Sequence, residues 1–526
     1  MGVYRIGIDV GGTHTDAVLL DQYNQVISET KSPTTEDVSR GIYTAMRKII
    51  DDAKVPREQI KYAMLGTTHC TNAIVERKRL NNIAIIRIGA PATLAVKPLI
   101  GVPDDLRAVI GKYVYLIRGG HEFDGREIVE LDEAHLYQIA EEIKGKVDSI
   151  AITSVFSPVS QTHEQRASEI FKEVLGEEIS ISLSSEIGSV GLLERENATI
   201  LNTAVVNVAK TTADGFINAL KNEGIEAKVF FCQNDGTLMS IEYAVKYPIF
   251  TVACGPTNSL RGASYLSELT DAIVLDVGGT TTDIGVLVQS FPRESSLAVE
   301  IGGARTNFRM PDLISIGLGG GTIIRIGENG EFTIGPDSVG YRLPEKALIF
   351  GGDTLTTTDV AVALGKVELG DASKVAHLDK ELLNRIYLSM VNLVEEAIDK
   401  MKTSAAPVPV ILVGGGSILL PEELKGASEV IRPLHSGVAN AIGSAISQVS
   451  GQIEKVYALA EIGREAALEQ AKEIAMSEAI SAGADPQTLV IVDIEDVPLA
   501  YMPGNATRIR VKAAGDLAQS EMNELV

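Results

Sequence analysis

The sequence predicts an α/β fold in which two related domains face each other across a cleft. Three observations predict it. Residues 7–19 read GIDVGGTHTDAVL and residues 274–286 read VLDVGGTTTDIGV, so the pattern D-V-G-G-T-x-T-D occurs twice, beginning at Asp9 and at Asp276. Short apolar runs of strand type alternate with amphipathic runs of helix type along most of the chain. Several strand-like runs end on glycine clusters, as in SIGLGGGTIIRI and VILVGGGSILLP. Seven identities in eight positions, separated by half the chain, are too far apart for a solenoid repeat and fit a duplicated domain.

The elements follow in order. VYRIGIDV, DAVLLD and QVISETKS read as a meander of three strands, and VSRGIYTAMRKIIDDA as a helix. A further strand leads into GTTHCTNAIVERK, where adjacent His69 and Cys70 would point to opposite faces of an extended segment. From about residue 91 to about 185, strands such as SIAITSVF alternate with helical stretches such as EQRASEIFKEVLG. LLERENATILNTAVVNVAKTTADGFINALKN reads as one long helix. AKVFFCQ reads as a strand leading to a loop around VACGPTNS, and AIVLDVGGTTTDIGVLV opens a second α/β segment. VANAIGSAISQ reads as a helix. Beyond residue 450 the pattern becomes a charged helix, EKVYALAEIGREAALEQAKEIAMSEAI, followed by a hairpin of TLVIVDIEDVPLAYMP and ATRIRVKAA turning at PGNA. The expected division is 1–190, 191–450 and a small C-terminal helix-and-hairpin appendage, 451–526.

Composition narrows the function classes. The 526 residues are 45% hydrophobic and 22% charged, ordinary for a globular chain with large cores. A formal charge of −23 argues against a nucleic-acid binder, which needs a basic surface. Three widely spaced cysteines (Cys70, Cys232 and Cys254) suit a reducing compartment. No apolar run approaches the ~18 residues of a membrane span and the first residues enter a strand directly, so a cytoplasmic enzyme without membrane partners is expected. The seven histidines are scattered and no paired metal spacing occurs. No G-x-x-x-x-G-K-[ST], G-x-S-x-G or H-E-x-x-H is found, which removes the P-loop, serine-hydrolase and zincin readings.

The repeated turn suits a nucleotide. Glycines such as Gly11, Gly12, Gly278 and Gly279 allow close approach, and successive N–H groups form a concavity for anionic oxygen. Thr13, Thr15, Thr280, Thr281 and Thr282 add hydroxyl donors, and His14 a further donor to phosphate. Asp9 and Asp276 are placed to hold Mg2+ through its water or to orient a nucleophile. Asp16 and Asp283 either share that work or fix the hairpins. Gly317, Gly319, Gly320 and Gly321, and Gly414, Gly415, Gly416 and Ser417, let a flat base or sugar lie against backbone. Glu76, Arg77, Glu194, Arg195 and Asn197 either line the cleft or form buried ion pairs, and a structural role is favoured for His69 and Cys70.

The paired D-V-G-G-T hairpins resemble those of the acetate kinase, sugar kinase, heat-shock chaperone and actin superfamily. The resemblance implies two actin-like, ribonuclease H-like domains around a nucleotide cleft, with Gly414–Ser417 (residues 414–417) as the adenosine turn. GTTHCTNAIVERK, GLLERENATILNTAVV, CGPTNSLRGA, SIGLGGGT, TIGPDSVG and PLHSGVANAIGSA are together similar to segments of the hydantoinase A and 5-oxoprolinase family, over about residues 1–450. Departures are Leu65 where the family has His, and His69–Cys70 where it has Val-Ala. What the resemblance implies is ATP- and Mg2+-dependent phosphorylation of the carbonyl oxygen of a cyclic amide or other carbonyl substrate, ahead of ring opening. It also implies a B-type hydantoinase subunit as partner and assembly into a homo- or hetero-oligomer. A small-molecule kinase, a carbonyl carboxylase component and an ATP-driven activator switch are the alternatives.

Overall fold

The computed structural model describes residues 2–33, 38–188, 190–295, 299–307, 310–500, 502 and 504–518. β1 (Tyr4–Val10), β2 (His14–Leu20) and β3 (Val26–Pro33) form the expected antiparallel meander, and β4 (Ile60–Thr67) joins β1 in parallel. These strands are covered on both faces, which is why they read as unbroken apolar runs rather than alternations. α1 (Val38–Ala53) lays Ile42, Ala45, Met46, Ile49 and Ile50 on one face, at helical spacing.

β5 (Ile83–Ala90), β6 (Tyr113–Arg118), β7 (Ser149–Ser154) and β8 (Ser180–Leu183) make a separate parallel sheet in the order β6-β5-β7-β8. Its Ala84, Ile86 and Ile88 face the helices Glu133–Ile143 and Thr162–Leu175, while Ile83, Ile85 and Ala151 face the main core. The long helix runs Leu192–Asn222, as the sequence predicts. It is buried without interruption from Arg195 to Val206, so its polar groups need internal partners. Glu196 takes the Arg87 guanidinium, with Nε at 2.7 Å. Asn202 donates to Ser182 Oγ and Lys246 O, both at 3.0 Å.

The chain then re-enters the first sheet through β9 (Lys228–Cys232) and β10 (Thr237–Ser240). The second lobe repeats the first. β11 (Ala272–Val277) pairs antiparallel with β12 (Thr282–Val288) and parallel with Val408–Val413, as β1 pairs with β2 and β4. In register, Asp276 faces Asp283 as Asp9 faces Asp16.

Two sequence expectations are corrected here. Residues 454–458 belong to the strand Gln448–Ala458 instead of a charged helix, which begins at Arg464. That strand pairs in parallel with β10 and, over ten positions, with Ala506–Gly515, whose other neighbour is Val490–Pro498. The helix Arg464–Ser481 packs onto it through Ala467, Ala471, Ala475 and Ala479. The approach is so close that a Cβ on Gly451 would lie 2.2 Å from Ala475 O. The C-terminal segment is thereby the edge of a nine-stranded sheet, not an appendage beside it. Equally, strands from both sides of residue 190 build that sheet, so the chain's first lobe is discontinuous. Residues 501, 503 and 519–526 of this segment lie outside the described residues.

Candidate functional site

The lobes meet where two short helices cross. VACGPTNS, read from sequence as a loop, is helix from Cys254 onward: Cys254–Ser267. Pro256 falls in its first turn, where a missing N–H costs nothing. It crosses the helix Ala439–Ile446 at glycines. A Cβ on Gly262 would lie 1.9 Å from Ala439 O, and one on Gly443 1.8 Å from Asn258 O. β1 comes as near on the other side, since a Cβ on Gly7 would stand 2.3 Å from Ala441 O. The crossing delivers Asn258, Ser259 and Asn440 to the aspartates of both hairpins.

Asp9 is buried, and both of its oxygens are taken. Asn258 Nδ2 donates to Oδ1 and Asn440 Nδ2 to Oδ2, each at 3.0 Å. Asn440 Nδ2 also reaches Asp16 Oδ2 at 2.8 Å, and Lys31 Nζ donates to both Asp16 oxygens at 2.9 and 2.8 Å. Burial pushes the Asp9 carboxyl up to about 6, against the two asparagine amides and with the charges of Asp16 and Asp276 adding. Asp276 accepts from Ser259 Oγ at 2.5 Å and is likewise raised by burial. Asp283 is raised to about 6, again chiefly by burial. Gly66 on β4 is required here because a Cβ would sit 2.2 Å from Asp9 Oδ1.

The two hairpin tips face each other. A Cβ on Gly279 would lie 3.7 Å from Thr13 Oγ1, and one on Gly340 3.7 Å from Thr280 Oγ1 and 3.8 Å from Thr13 Cγ2. Both turns close alike, Gly11 N–H donating to His14 O and Gly278 N–H to Thr281 O, each at 2.9 Å. Gly12 is exposed at its tip, with nothing within 4 Å of a Cβ position. His14 Nδ1 lies 3.1 Å from Thr13 Oγ1, and burial lowers its pKa. The buried threonines differ: Thr282 Oγ1 is spent on Leu318 O at 2.6 Å, whereas Thr15 Oγ1 has no partner among the described residues.

The glycine clusters brace the second hairpin. Gly320 N–H donates to Gly278 O at 3.0 Å and Gly321 N–H to Gly279 O at 2.7 Å, while a Cβ on Gly319 would meet Thr280 N at 2.6 Å. Gly414 turns back with φ +81, and a Cβ there would stand 2.3 Å from Asp276 Oδ1. Gly416 N–H donates to Val277 O at 2.8 Å, and Ser417 is buried behind it. Gly415 is exposed, and a Cβ on it would be 3.6 Å from Lys31 Cε.

His69, Arg77, Arg195 and Asn197 make contacts with neighbouring segments. His69 and Cys70 open the helix His69–Glu76, α2, and both are buried, so the opposite-face argument for a strand does not apply. His69 Nδ1 bonds Thr67 Oγ1, and burial drops its pKa to about 4; burial raises the Cys70 thiol to about 11. Arg77 joins Asp105 at 3.0 Å and Gly302 O at 2.8 Å, and Glu76 lies 3.6 Å from Lys78. Glu194 is in the first turn of the long helix, Arg195 donates to Ser154 O at 2.7 Å, and Asn197 to Arg305 O at 2.9 Å.

Two of the scattered histidines do meet in space. His121, Glu127 and His163 place ligand-type atoms within 4.8 Å of one another. Gly120 N–H donates to His163 Nδ1 at 3.0 Å, which puts the ring proton on Nε2, 3.2 Å from Glu127 Oε1. That nitrogen is a donor to the carboxylate, not a metal ligand.

Lys31, Asn258, Ser259 and Asn440 are the site residues that sequence reading left unassigned. Asn258, Ser259 and Asn440 fall inside CGPTNSLRGA and PLHSGVANAIGSA, segments picked out by resemblance, but nothing in their spacing points to Asp9.

Fold and site together define a two-lobed α/β protein whose lobes repeat one hairpin and present it to each other. The chain belongs to the hydantoinase/oxoprolinase family: residues 5–175 match the hydantoinase/oxoprolinase N-terminal region and residues 195–390 the hydantoinase/oxoprolinase domain. It is 27% identical over 428 residues to a protein of Methanocaldococcus jannaschii, covering 76% of this chain and 62% of that one. To the caprolactamase subunit alpha of Pseudomonas jessenii it is 24% identical over 385 residues, covering 69% and 54%. The chain thus spans less than two thirds of the length of these relatives. The fold matches the ATP-dependent caprolactamase of Pseudomonas jessenii with a TM-score of 0.79 at 19% identity, over 99% of this chain and 89% of that one. Nucleotide-free acetone carboxylase matches with 0.71 at 18%, over 98% and 88%. Among the described residues no helix is long and apolar enough to cross a membrane.

Proposed function

We propose that this chain is the nucleotide-binding, carbonyl-activating component of an ATP-dependent enzyme acting on cyclic amides or related carbonyl compounds. The observation that carries the reading is the pair of D-V-G-G-T hairpins brought tip to tip, each with an aspartate at its base, Asp9 buried and Asp276 half-buried. The printed activities of relatives support it: caprolactamase, 5-oxoprolinase of Arabidopsis thaliana, and acetone carboxylase of Xanthobacter autotrophicus. Those relatives named as alpha or beta subunits also support a partner subunit, of the B type or another.

The chemistry follows from the residues. Backbone N–H groups at Gly12–Thr13 and Gly279–Thr281 (residues 12–13 and 279–281), with the Thr13, Thr280 and Thr281 hydroxyls and His14, meet phosphate oxygens from two sides. Gly414–Ser417 and Gly320 border the adenosine. Asp9, Asp16, Asp276 and Asp283 outnumber the single nearby ammonium, Lys31, and a hard oxygen donor set of this kind fits Mg2+. Asp9 and Asp276 would hold the ion through water, and when bound it would offset phosphate charge. Asn258 and Asn440 fix both Asp9 oxygens, so the carboxylate is oriented before substrate arrives. The carbonyl oxygen bonds to the γ-phosphorus as the γ-to-β bridging P–O bond breaks and ADP leaves. Water then adds at the activated carbon and the ring C–N bond breaks, leaving an acyl phosphate from which a second water releases phosphate and the ring-opened acid. Positioning and charge neutralisation supply most of what such a transfer needs.

A carboxylase component is the second reading, supported by 25% identity over 407 residues to the acetone carboxylase beta subunit. The test is ATP-dependent phosphate release by the purified chain with a panel of hydantoins, 5-oxoproline, larger lactams and simple ketones, with and without bicarbonate and a candidate partner. Stimulation by lactams, with ring-opened acid only once the partner is added, is expected. Rapid ring opening by the isolated chain would overturn the two-component reading, and stimulation by ketone plus bicarbonate would favour the carboxylase.

Two smaller predictions belong here. Ionised Asp9 is needed and its pKa is raised to about 6 by burial, so protonation removes the required charge as pH falls. kcat/KM for ATP should be flat above about pH 7 and fall about tenfold per unit below about pH 6. A profile still flat at about pH 5 would remove Asp9 from the role. In Gly415→Val, the added side chain fills exposed space beside Lys31, and calorimetry should show ATP binding weakened by about tenfold or more. Unchanged affinity would move the adenosine site to the Gly319–Gly321 side (residues 319–321).

A further inference from the structure

A cavity of about 600 Å3 opens at the carboxyl end of β9, beside the hairpin site but separated from it by the first turn of the helix Cys254–Ser267. On one face of that turn Asn258 holds Asp9. On the other, Thr257 Oγ1 donates at 2.9 Å to the carbonyl of Asn234, which lines the cavity. The volume is that of a small-molecule site, and the ends of parallel strands are where such sites form. None of the residues assigned to nucleotide or phosphate lines it.

Its walls combine aromatic rings with carboxylates. Tyr243, Tyr247 and Phe250 form an aromatic wall, with Tyr243 and Phe250 stacked at 6.3 Å and Tyr243 tilted against Tyr247 at 4.6 Å. Five carboxylates line the cavity against one guanidinium, Arg510, but four of them are paired: Asp235 and Glu294 reach Lys512 at 2.7 and 3.7 Å, Glu454 reaches Arg508 at 3.7 Å and Glu186 reaches Lys246 at 3.1 Å. Arg510 is already committed to Asp493 at 2.7 Å and Glu294 at 3.0 Å. Glu478, which is exposed, faces the same space, and its carboxylate meets only the Gln452 backbone among the partners that shift it. Glu478, Asp235 and Glu186 all act on the Tyr243 phenol, which burial and these charges keep protonated. The fold already uses this chemistry once: Lys246 Nζ stands 4.8 Å over the Tyr247 ring and 3.1 Å from Glu186.

We propose that this cavity is a binding site for a small primary ammonium compound with an apolar body. The aromatic wall takes the apolar body and the flank of the cation, while Glu478 accepts its N–H donors. An anionic ligand would be repelled by the Glu478 carboxylate, and a neutral one would leave it without a counter-charge.

The test uses the full chain without nucleotide, so its outcome is independent of the ATP reading. Benzylammonium and its neutral counterpart benzyl alcohol are titrated by calorimetry and by saturation-transfer NMR. Benzylammonium should bind one equivalent saturably, and benzyl alcohol about tenfold more weakly or less. Tyr243→Ala and Glu478→Gln, both at exposed positions, should each weaken benzylammonium about tenfold while leaving ATP affinity as in the wild type. The proposal is overturned if benzylammonium does not bind, if benzyl alcohol binds equally well, or if both variants bind benzylammonium like the wild type.

Discussion

Asp9→Ala and Asp276→Ala should each cut ATP turnover by about 100-fold or more while leaving the chain folded. Asp9 stands where two lobes converge: its oxygens take one amide from each of the crossing helices, and its charge is held in a buried setting where electrostatics are strong. Asp276 occupies the same register position in the second hairpin, with Ser259 as its donor. Removing either carboxylate deletes half of the acidic pair while the hairpin backbone, held by its own turn bonds, persists. Asp9→Ala also strands the buried Asn258 amide and removes one of the two bonds of Asn440, which keeps Asp16, so its thermal stability should fall by more than that of Asp276→Ala, which strands one hydroxyl. Phosphate release and circular dichroism on the same preparations decide the matter. A folded variant of either kind turning over ATP at the wild-type rate would refute the two-hairpin site.

Gly443→Ala should be the most damaging small substitution away from the carboxylates. Its Cβ would stand 1.8 Å from Asn258 O and 2.8 Å from Gly262 N, backbone atoms that cannot rotate away. The crossing helices must separate, at a cost of about 3 kcal/mol or more. Because Asn258 and Asn440 sit on those helices, separation also loosens both hydrogen bonds to Asp9. A lower melting temperature together with weaker ATP turnover is expected. Gly437→Ala, whose Cβ meets nothing within 4 Å, is the matched control and should behave like the wild type. Equal melting temperatures for the two variants would show that the crossing tolerates a methyl group and that its closeness does not set the site.

Much of the fold was legible because it is local. The meander, α1 and the 31-residue helix were readable from apolar periodicity, and the helix bounds coincide with the sequence reading at both ends. Misreadings occurred where tertiary pairing outweighs local pattern. EKVYA heads a charged run that reads as helix, yet five ladder pairs with the strand Ala506–Gly515 hold it as strand. CGPTNS looks like a loop by composition, but proline in a first helical turn is compatible with a helix. His69 and Cys70 were judged by strand geometry and lie on a helix.

By itself the sequence determined the duplication and its composition: two turns of glycine, hydroxyl and carboxylate, each contained within eight positions. Family membership followed from the same kind of contiguous signal. Only the tertiary structure decided which groups hold Asp9, because residues 9, 258 and 440 meet through a helix crossing permitted by Gly262 and Gly443. It also decided that the C-terminal strands complete the first sheet, and that an aromatic and acidic cavity lies one helical turn from the hairpins. The physical reason is the same in each case. Turn chemistry and periodicity are set by bonded neighbours, whereas burial and convergence arise from packing between segments that sequence spacing does not relate.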